Sequence, residues 1–317
     1  MINQATRSVP REDLGVAFHE YDPSAEGFIA NEALPPSPVG KKAATMGVIT
    51  RENLKRADST HANGAAFGRV TLISEDKSYA CVDHGLEGQL TDEDRATYET
   101  DYDAEYETVQ SVTRKMYIER EIRVAAAMFN TTTWDSSDAA LFTDNSGSPW
   151  DNIATTIIAQ VIAAKKLVRL NCGVMPDTML IGQTSLENLL LNTQIRAQFP
   201  GANLITLAMI RQALGAIFGL QNLIVGQAGY DSADEGQDFS GSECWSDDYA
   251  LIYKRHTGGR ATPGLGRNVE WNGVDGGLGQ VKEYREEQTE SDIFRVRDFS
   301  FEWIFDAYFG HLMQIDA

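Results

Sequence analysis

From Thr91 to Phe129 the chain runs without a glycine or a proline, and this stretch constrains the fold more than any other. Tyr98, Tyr102, Tyr106, Val109 and Met116 recur at helical spacing, followed by Ile118, Ile122, Ala125 and Phe129. Thr91 followed by Asp94 resembles a capping box with Asp in place of Glu. Acids crowd the first half, from Asp92 to Glu107. Bases crowd the second, at Arg114, Lys115, Arg120 and Arg123. That order suits a helix dipole, although charges far from the ends add little. The pattern predicts one continuous helix of roughly 58 Å, at about 1.5 Å per residue. This is several times the usual globular length.

The flanking segments are equally extended. Residues 1–45 hold Pro35, Pro36 and Pro38 and few apolar residues, so they read as an arm that must lie against something else. Residues 46–90 read as a long β-hairpin or loop. Met46–Val48, Arg69–Ile73 and Ser78–Val82 are β-prone, around a polar stretch from Ser59 to Gly68. A loop of that length marks an outward excursion. None of these parts buries itself well in a monomer, and each is reasonable if neighbouring subunits supply the missing surface.

Downstream, helical and strand-like segments follow one another, and the chain reads as α+β. Ser148-Pro149-Trp150-Asp151 reads as a helix start, with Ile153, Ile157, Val161, Ala164 and Val168 as its stripe and Asn171-Cys172-Gly173 as its end. Met179–Ile181 is a predicted strand, and Thr184 with Glu187 is expected to cap a helix through Leu191. Leu207–Phe218 is a further helix; Asn222–Val225 and Tyr249–Tyr253 are strands. Gly226–Gly241 reads as a flexible acidic loop and 256–280 as irregular, before long β-like segments at Val281–Tyr284 and Ile293–Phe309. There is no internal repeat.

Active-site signatures are sparse by comparison. The five histidines, His19, His61, His84, His256 and His311, show no HxxxH or HExxH spacing, so each reads as a surface or packing residue. The acidic run from Asp101 to Glu107 fails as a calcium loop, because Tyr106 and Val112 stand where Gly and an acid are required. Gly273, Gly276, Gly277 and Gly279 make no phosphate loop, and no GxSxG elbow occurs. Cys81, Cys172 and Cys244 are an odd, scattered set, unsuited to a disulfide framework. The polar first ten residues lack the apolar core of a signal peptide. Trp303, Phe305, Tyr308 and Phe309 read as core packing rather than a ligand platform. A formal net charge of -19 argues against a dedicated nucleic-acid-binding module.

Two segments carry a resemblance. Lys77-Ser-Tyr-Ala-Cys-Val-Asp-His-Gly-Leu-Glu87, with Leu90-Thr-Asp-Glu-Asp94 and the helix ending Glu119-Arg-Glu-Ile-Arg-Val-Ala-Ala-Ala127, is similar to a loop-to-spine junction. Gly173-Val-Met-Pro-Asp-Thr-Met-Leu-Ile-Gly182 is similar to a PxTxxxG strand-to-helix passage. Both resemble the major capsid proteins of tailed bacteriophages with the Hong Kong 97-like fold. Gly219–Gly226 and Asp247–Tyr253 fit the later strands of these proteins, so that the resemblance spans most of residues 28–317.

The resemblance implies an N-terminal arm over 1–45 and an extended loop over 46–90. It implies a peripheral domain with the spine helix over 91–144 and 256–304, and an axial domain over 145–255 and 305–317. It implies a structural subunit of the virion, with no catalytic residues, metal or cofactor. Its partners would be further copies as pentamers and hexamers, a portal, a decoration protein, and packaged double-stranded DNA bound without sequence preference. With an arm beginning almost at Met1, the expectation is either a separate scaffolding protein or a processed chain, and the initiating Met favours the first. Arg51, Lys55, Arg56 and Arg69 are candidate intersubunit contacts for the acidic spine. Lys77 is a further candidate: some relatives form Lys–Asn cross-links, yet no Asn can be paired with it, and an ordinary surface lysine is the better reading. Two alternatives stand beside this reading: an encapsulin-type compartment shell and a soluble acidic hydrolase using paired carboxylates.

Overall fold

The computed structural model describes residues 9–11, 14, 23–49, 51–60, 63, 67–71, 73–98, 103–199, 207–234, 236–258, 262–273 and 280–316. The N-terminal segment supplies β1 (Val9–Pro10), α1 (Ala30–Ala33) and β2 (Pro36–Val39). A hairpin of β3 (Ala43–Ile49) and β4 (Ser74–Ala80) follows, and β5 (Val82–Thr91) leads into α2 (Asp92–Tyr98) and α3 (Ala104–Met128). Next come β6 (Phe142–Asp144), α4 (Ile157–Cys172), β7 (Thr178–Gly182), α5 (Gln183–Leu191), α6 (Thr193–Arg196) and α7 (Leu207–Phe218). The remainder is strand: β8 (Asn222–Gly226), β9 (Gly229–Asp231), β10 (Gly241–Glu243), β11 (Tyr249–Tyr253), β12 (Gly266–Trp271), β13 (Val281–Glu286), β14 (Ser291–Ile304) and β15 (Gly310–Gln314).

The expected single helix is two. Asp103 stops the run from reading through: its carboxylate accepts the Tyr106 N–H at 3.2 Å and opens α3 as an N-cap. Thr91 caps α2 as anticipated, accepting the Asp94 N–H at 3.1 Å. Tyr102, Glu99 and Asp101 lie outside the described residues. Along α3, Val109, Val112 and Met116 pack on Leu90, Phe294 and Val296. The helix sits close on β5 because Gly88 has no side chain; a Cβ there would come within 2.7 Å of Thr108 and Val112.

One sheet runs β1-β13-β14-β12-β2, with β5 also paired to β14. The long β14 organises it, meeting β5 from Ser291↔Thr91 to Ser300↔Val82 and β12 from Ser300↔Glu270 to Ile304↔Gly266. The arm's prolines add a parallel edge strand, with Asn268 opposite Pro36.

The second sheet runs β6-β15-β11-β7-β8 and is covered on both faces. Ala250, Ile252, Met179 and Ile181 face α4, α5 and α7, while Leu180, Leu251 and Leu312 face the end of α3, Trp134 and Trp245. Two-sided burial explains why its strands read as unbroken apolar runs rather than as alternation. Phe142–Asp144 joins this sheet through β15.

Several local expectations shift. The second helix begins at Ile157 rather than at Ser148. Residues 148–155 form turns in which the Thr155 hydroxyl donates to Pro149 O at 2.7 Å and Trp150 Nε1 donates to Gln160 at 2.7 Å. Its end is as expected, with Gly173 left-handed at φ 69°. No strand occurs among the described residues of 69–73, and β4 starts at Ser74. Segment 226–241 contains strand residues paired as a hairpin, β9 with β10, and the glycine-rich 256–280 contains β12.

The predicted Thr184/Glu187 cap is replaced by a distant residue. Asp247 Oδ1 accepts the N–H groups of Thr184 (3.1 Å) and Ser185 (3.4 Å). Asp247→Ala is therefore expected to cost about 1–2 kcal/mol in urea unfolding. Thr184→Ala should stay within about 0.5 kcal/mol; the reverse order would restore the local cap.

Candidate functional site

Among the described residues, no group of three or more His, Cys, Asp or Glu is arranged to hold a metal ion. No helix there is long and apolar enough to cross a membrane. An open groove of about 620 Å³ lies between α3 and β9, lined by His84, Lys115, Met116, Ile118, Arg123 and Tyr230 among others. It contains no serine or cysteine nucleophile. Of its titratable groups, Asp83 is held low by the Arg297 guanidinium bonded to it, and burial first, then Arg123, push the pKa of His84 down.

The other described histidines are equally committed. His311 is buried, with Nδ1 3.0 Å from Ala140 O and Nε2 2.8 Å from the Thr143 hydroxyl. His256 Nδ1 accepts from Arg267 Nε at 2.6 Å. His19, His61, Gly276, Gly277 and Gly279 lie outside the described residues.

The hairpin β3–β4 carries the candidate contact residues. Arg51 stacks on its own chain, its guanidinium carbon 3.3 Å from the centre of the Tyr308 ring. Lys55 pairs with Glu52 one turn away. Arg56 and Arg69 are exposed, with no ion pair among the described residues. Lys77 donates to Phe305 O and lies 3.9 Å from Glu75. Several spine acids are likewise engaged within the subunit. Asp92 pairs with Arg285, and Glu105 bridges Arg11 (3.1 Å) and Arg95 (2.9 Å). Exposed large apolar side chains include Phe67 and Val70 on this loop, 77% and 80% accessible, and Phe239 on a distant one at 78%.

Sequence reasoning missed the joint between the parts. Glu121 lies in the basic half of α3, yet it is 1% exposed. Its carboxylate accepts the Ala30 N–H at 2.5 Å and Trp245 Nε1 at 2.7 Å. Burial pushes its pKa above the ordinary carboxylate range, against these hydrogen bonds. One side chain thus joins the N-terminal segment, α3 and the turn between β10 and β11. The available signal was an acid at the inward phase of the helix, between Met116, Val124 and Ala125.

No protein-family profile matches the sequence, and no curated protein matches it. Solved structures do. A phage-related protein from Bordetella bronchiseptica RB50 superimposes with a TM-score of 0.73 at 18% identity, over 97% of each chain. The capsid of cyanophage P-SCSP1u aligns with a TM-score of 0.55 at 11% identity, over 99% of this chain and 90% of that one. This is the Hong Kong 97-like capsid fold. The encapsulin of Synechococcus elongatus PCC 7942 is also similar, with a TM-score of 0.54 at 10% identity over 99% and 93% of the two chains. The capsid fold gives the long β14, the spine α3 and the two separate sheets a common frame.

Proposed function

We propose that this chain is the major capsid protein of a tailed phage or prophage. It is a structural, non-catalytic subunit that assembles as pentamers and hexamers into the icosahedral head of the virion, around double-stranded DNA. The observation that carries this reading is the end-to-end match to a phage-related protein, over 97% of both chains. The net charge of -19 supports a container that repels its DNA contents rather than gripping them.

In this reading, residues 1–45 are the arm and 46–90 the extended loop. Residues 91–144 and 256–304 are the peripheral domain, and 145–255 with 305–317 the axial domain. The doubly covered second sheet supports the axial assignment, with β6 (Phe142–Asp144) counted on that side because it pairs with β15. Arg56 and Arg69 are the loop cations best placed for a neighbour, because Arg51, Lys55 and Lys77 already have partners in their own subunit. A scaffolding protein, a portal and a decoration protein are the further partners. The encapsulin likeness supports a second reading, a compartment that encloses enzymes.

Negative-stain electron microscopy of the purified protein, alone and co-expressed with its gene neighbours, separates the two. Shells, rings or tubes are expected, with DNA-filled particles when portal and packaging genes are present. Particles that enclose only protein cargo would favour the compartment. Monomers under every condition would sink both.

A further inference from the structure

The β3–β4 hairpin is tethered to its own subunit and packed on it over only part of its face. The two strands pair only with each other, and a two-stranded ribbon is marginal by itself. Two cations hold it down. Arg51 stacks on Tyr308, and the Lys77 ammonium donates to the Phe305 carbonyl. Between these tethers the inner face, with Ala44, Met46 and Val48, meets Trp303 and Phe305. Tyr79 packs on Trp303, ring centroids 5.5 Å apart, but beside it a partly open pocket of about 190 Å³ lies between hairpin and body, walled by Met46, Val48, Val269, Trp303 and Phe305 among others. Interiors elsewhere in proteins are packed like organic crystals, so contact across such a gap gives up much of its dispersion attraction.

We propose that the hairpin is a strap, closed over its own subunit in the free protein by the Arg51–Tyr308 and Lys77–Phe305 contacts, which must open before subunits join. Opening bares two complementary surfaces at once, the apolar face of the strap and the Trp303–Phe305 shelf. A second copy supplies the match for both, as in any exchange of an identical element between protomers. The strap rests on the shell reading and names a control on that assembly.

Cys81 is a built-in reporter. It is 3% exposed at the root of the strap, its thiol 3.7 Å from Val269 O. Cys172 and Cys244 are buried in a different cluster and serve as references. The free protein is labelled with N-ethylmaleimide, and each cysteine is followed by peptide mass. Arg51→Ala is expected to speed Cys81 labelling about two- to fivefold, the worth of one exposed cation–π contact. Cys172 and Cys244 should not change. Lys77→Met should act in the same direction, and Tyr308→Phe, which keeps the ring, should behave as wild type. Val269→Ile, which narrows the cavity, should slow labelling. Light scattering should show assembly starting sooner in the first two variants and later in the last. Unchanged Cys81 labelling in both Arg51→Ala and Lys77→Met overturns the strap. Faster labelling with an unaltered assembly lag overturns its control of assembly. Failure of the wild type to form particles with its gene neighbours sinks the shell reading, while the labelling still decides whether the strap opens.

Discussion

Glu121→Ala is expected to lower the stability of the subunit by about 3–5 kcal/mol, a large share of what holds a domain together. The substitution leaves two buried donors, the Ala30 N–H and Trp245 Nε1, facing a methyl group. Each unsatisfied donor costs about 1–3 kcal/mol, and the deleted carboxylate leaves a cavity between α3 and Trp245. Glu121→Gln separates these effects. It keeps the volume and one acceptor oxygen but sets an NH2 group against one of the donors, so an intermediate loss is expected. Urea unfolding at neutral pH, with far-UV circular dichroism to verify folding, reads both. Because the acceptor ties residues 29–30 to the spine, the Ala variant should also free the arm first, seen as faster amide exchange at 29–34 than in β7 or β11. Equal stability of wild type and Ala variant would mean that water or neighbouring groups replace the carboxylate, and that the joint does not depend on it.

Glu121 also shows where sequence reading stops. Covalently local signals were legible. Thr91 capping α2, Gly173 closing α4 and the apolar runs of β7 and β11 follow from neighbours in the chain, and the structure repeats them. The order of long helix, loop and short strands was enough to point to the capsid fold. Contacts that close over long distances were not legible. Asp247 caps α5 from sixty-three residues away, and nothing at Asp247 announces it. β12 was hidden among glycines because its pairing comes from β14 and the arm, not from alternation of its own. The break at Asp103 was missed for another reason. Aspartate can serve as a helix-surface charge or as a cap, and only the geometry of the chain around it chooses. Among the candidate contact residues, sequence identified cations on a protruding loop, but not that Arg51 and Lys77 are bound by their own subunit.

A second large effect is expected with acid, and it centres on His256. This side chain is 3% exposed, edge-on to Phe305 at 5.3 Å, and its Nδ1 accepts a hydrogen bond from Arg267 Nε at 2.6 Å. A guanidinium can only donate, so Nδ1 carries no proton in the folded subunit. Protonating it removes that hydrogen bond and sets an imidazolium against a guanidinium away from water. Burial first, and Arg267 second, depress the pKa from 6.5 to about 4. Between these values the unfolded chain binds a proton that the folded one refuses. Stability is therefore complete above pH 6.5 and falls as pH drops toward 4, by on the order of 3 kcal/mol from this residue. His84 and His311, also depressed by burial, act in the same direction. Glu243 opposes them. Burial and the adjacent Asp247 raise its carboxyl to about 7, so its contribution is lost as pH rises through 7 and recovered on acidification. Urea unfolding of wild type, His256→Gln and Glu243→Gln from pH 7.5 to 4.5 resolves the contributions. The His256→Gln profile should be flatter on the acid side, and the Glu243→Gln profile steeper. If His256→Gln falls with acid as steeply as the wild type, the acid sensitivity lies elsewhere and the Arg267 contact does not hold the ring neutral. His256 also borders the cavity beneath the hairpin. Charging it should therefore loosen the strap, and Cys81 labelling, corrected for the loss of thiolate against a free thiol at the same pH, should quicken as pH falls toward 4 in the wild type but not in His256→Gln.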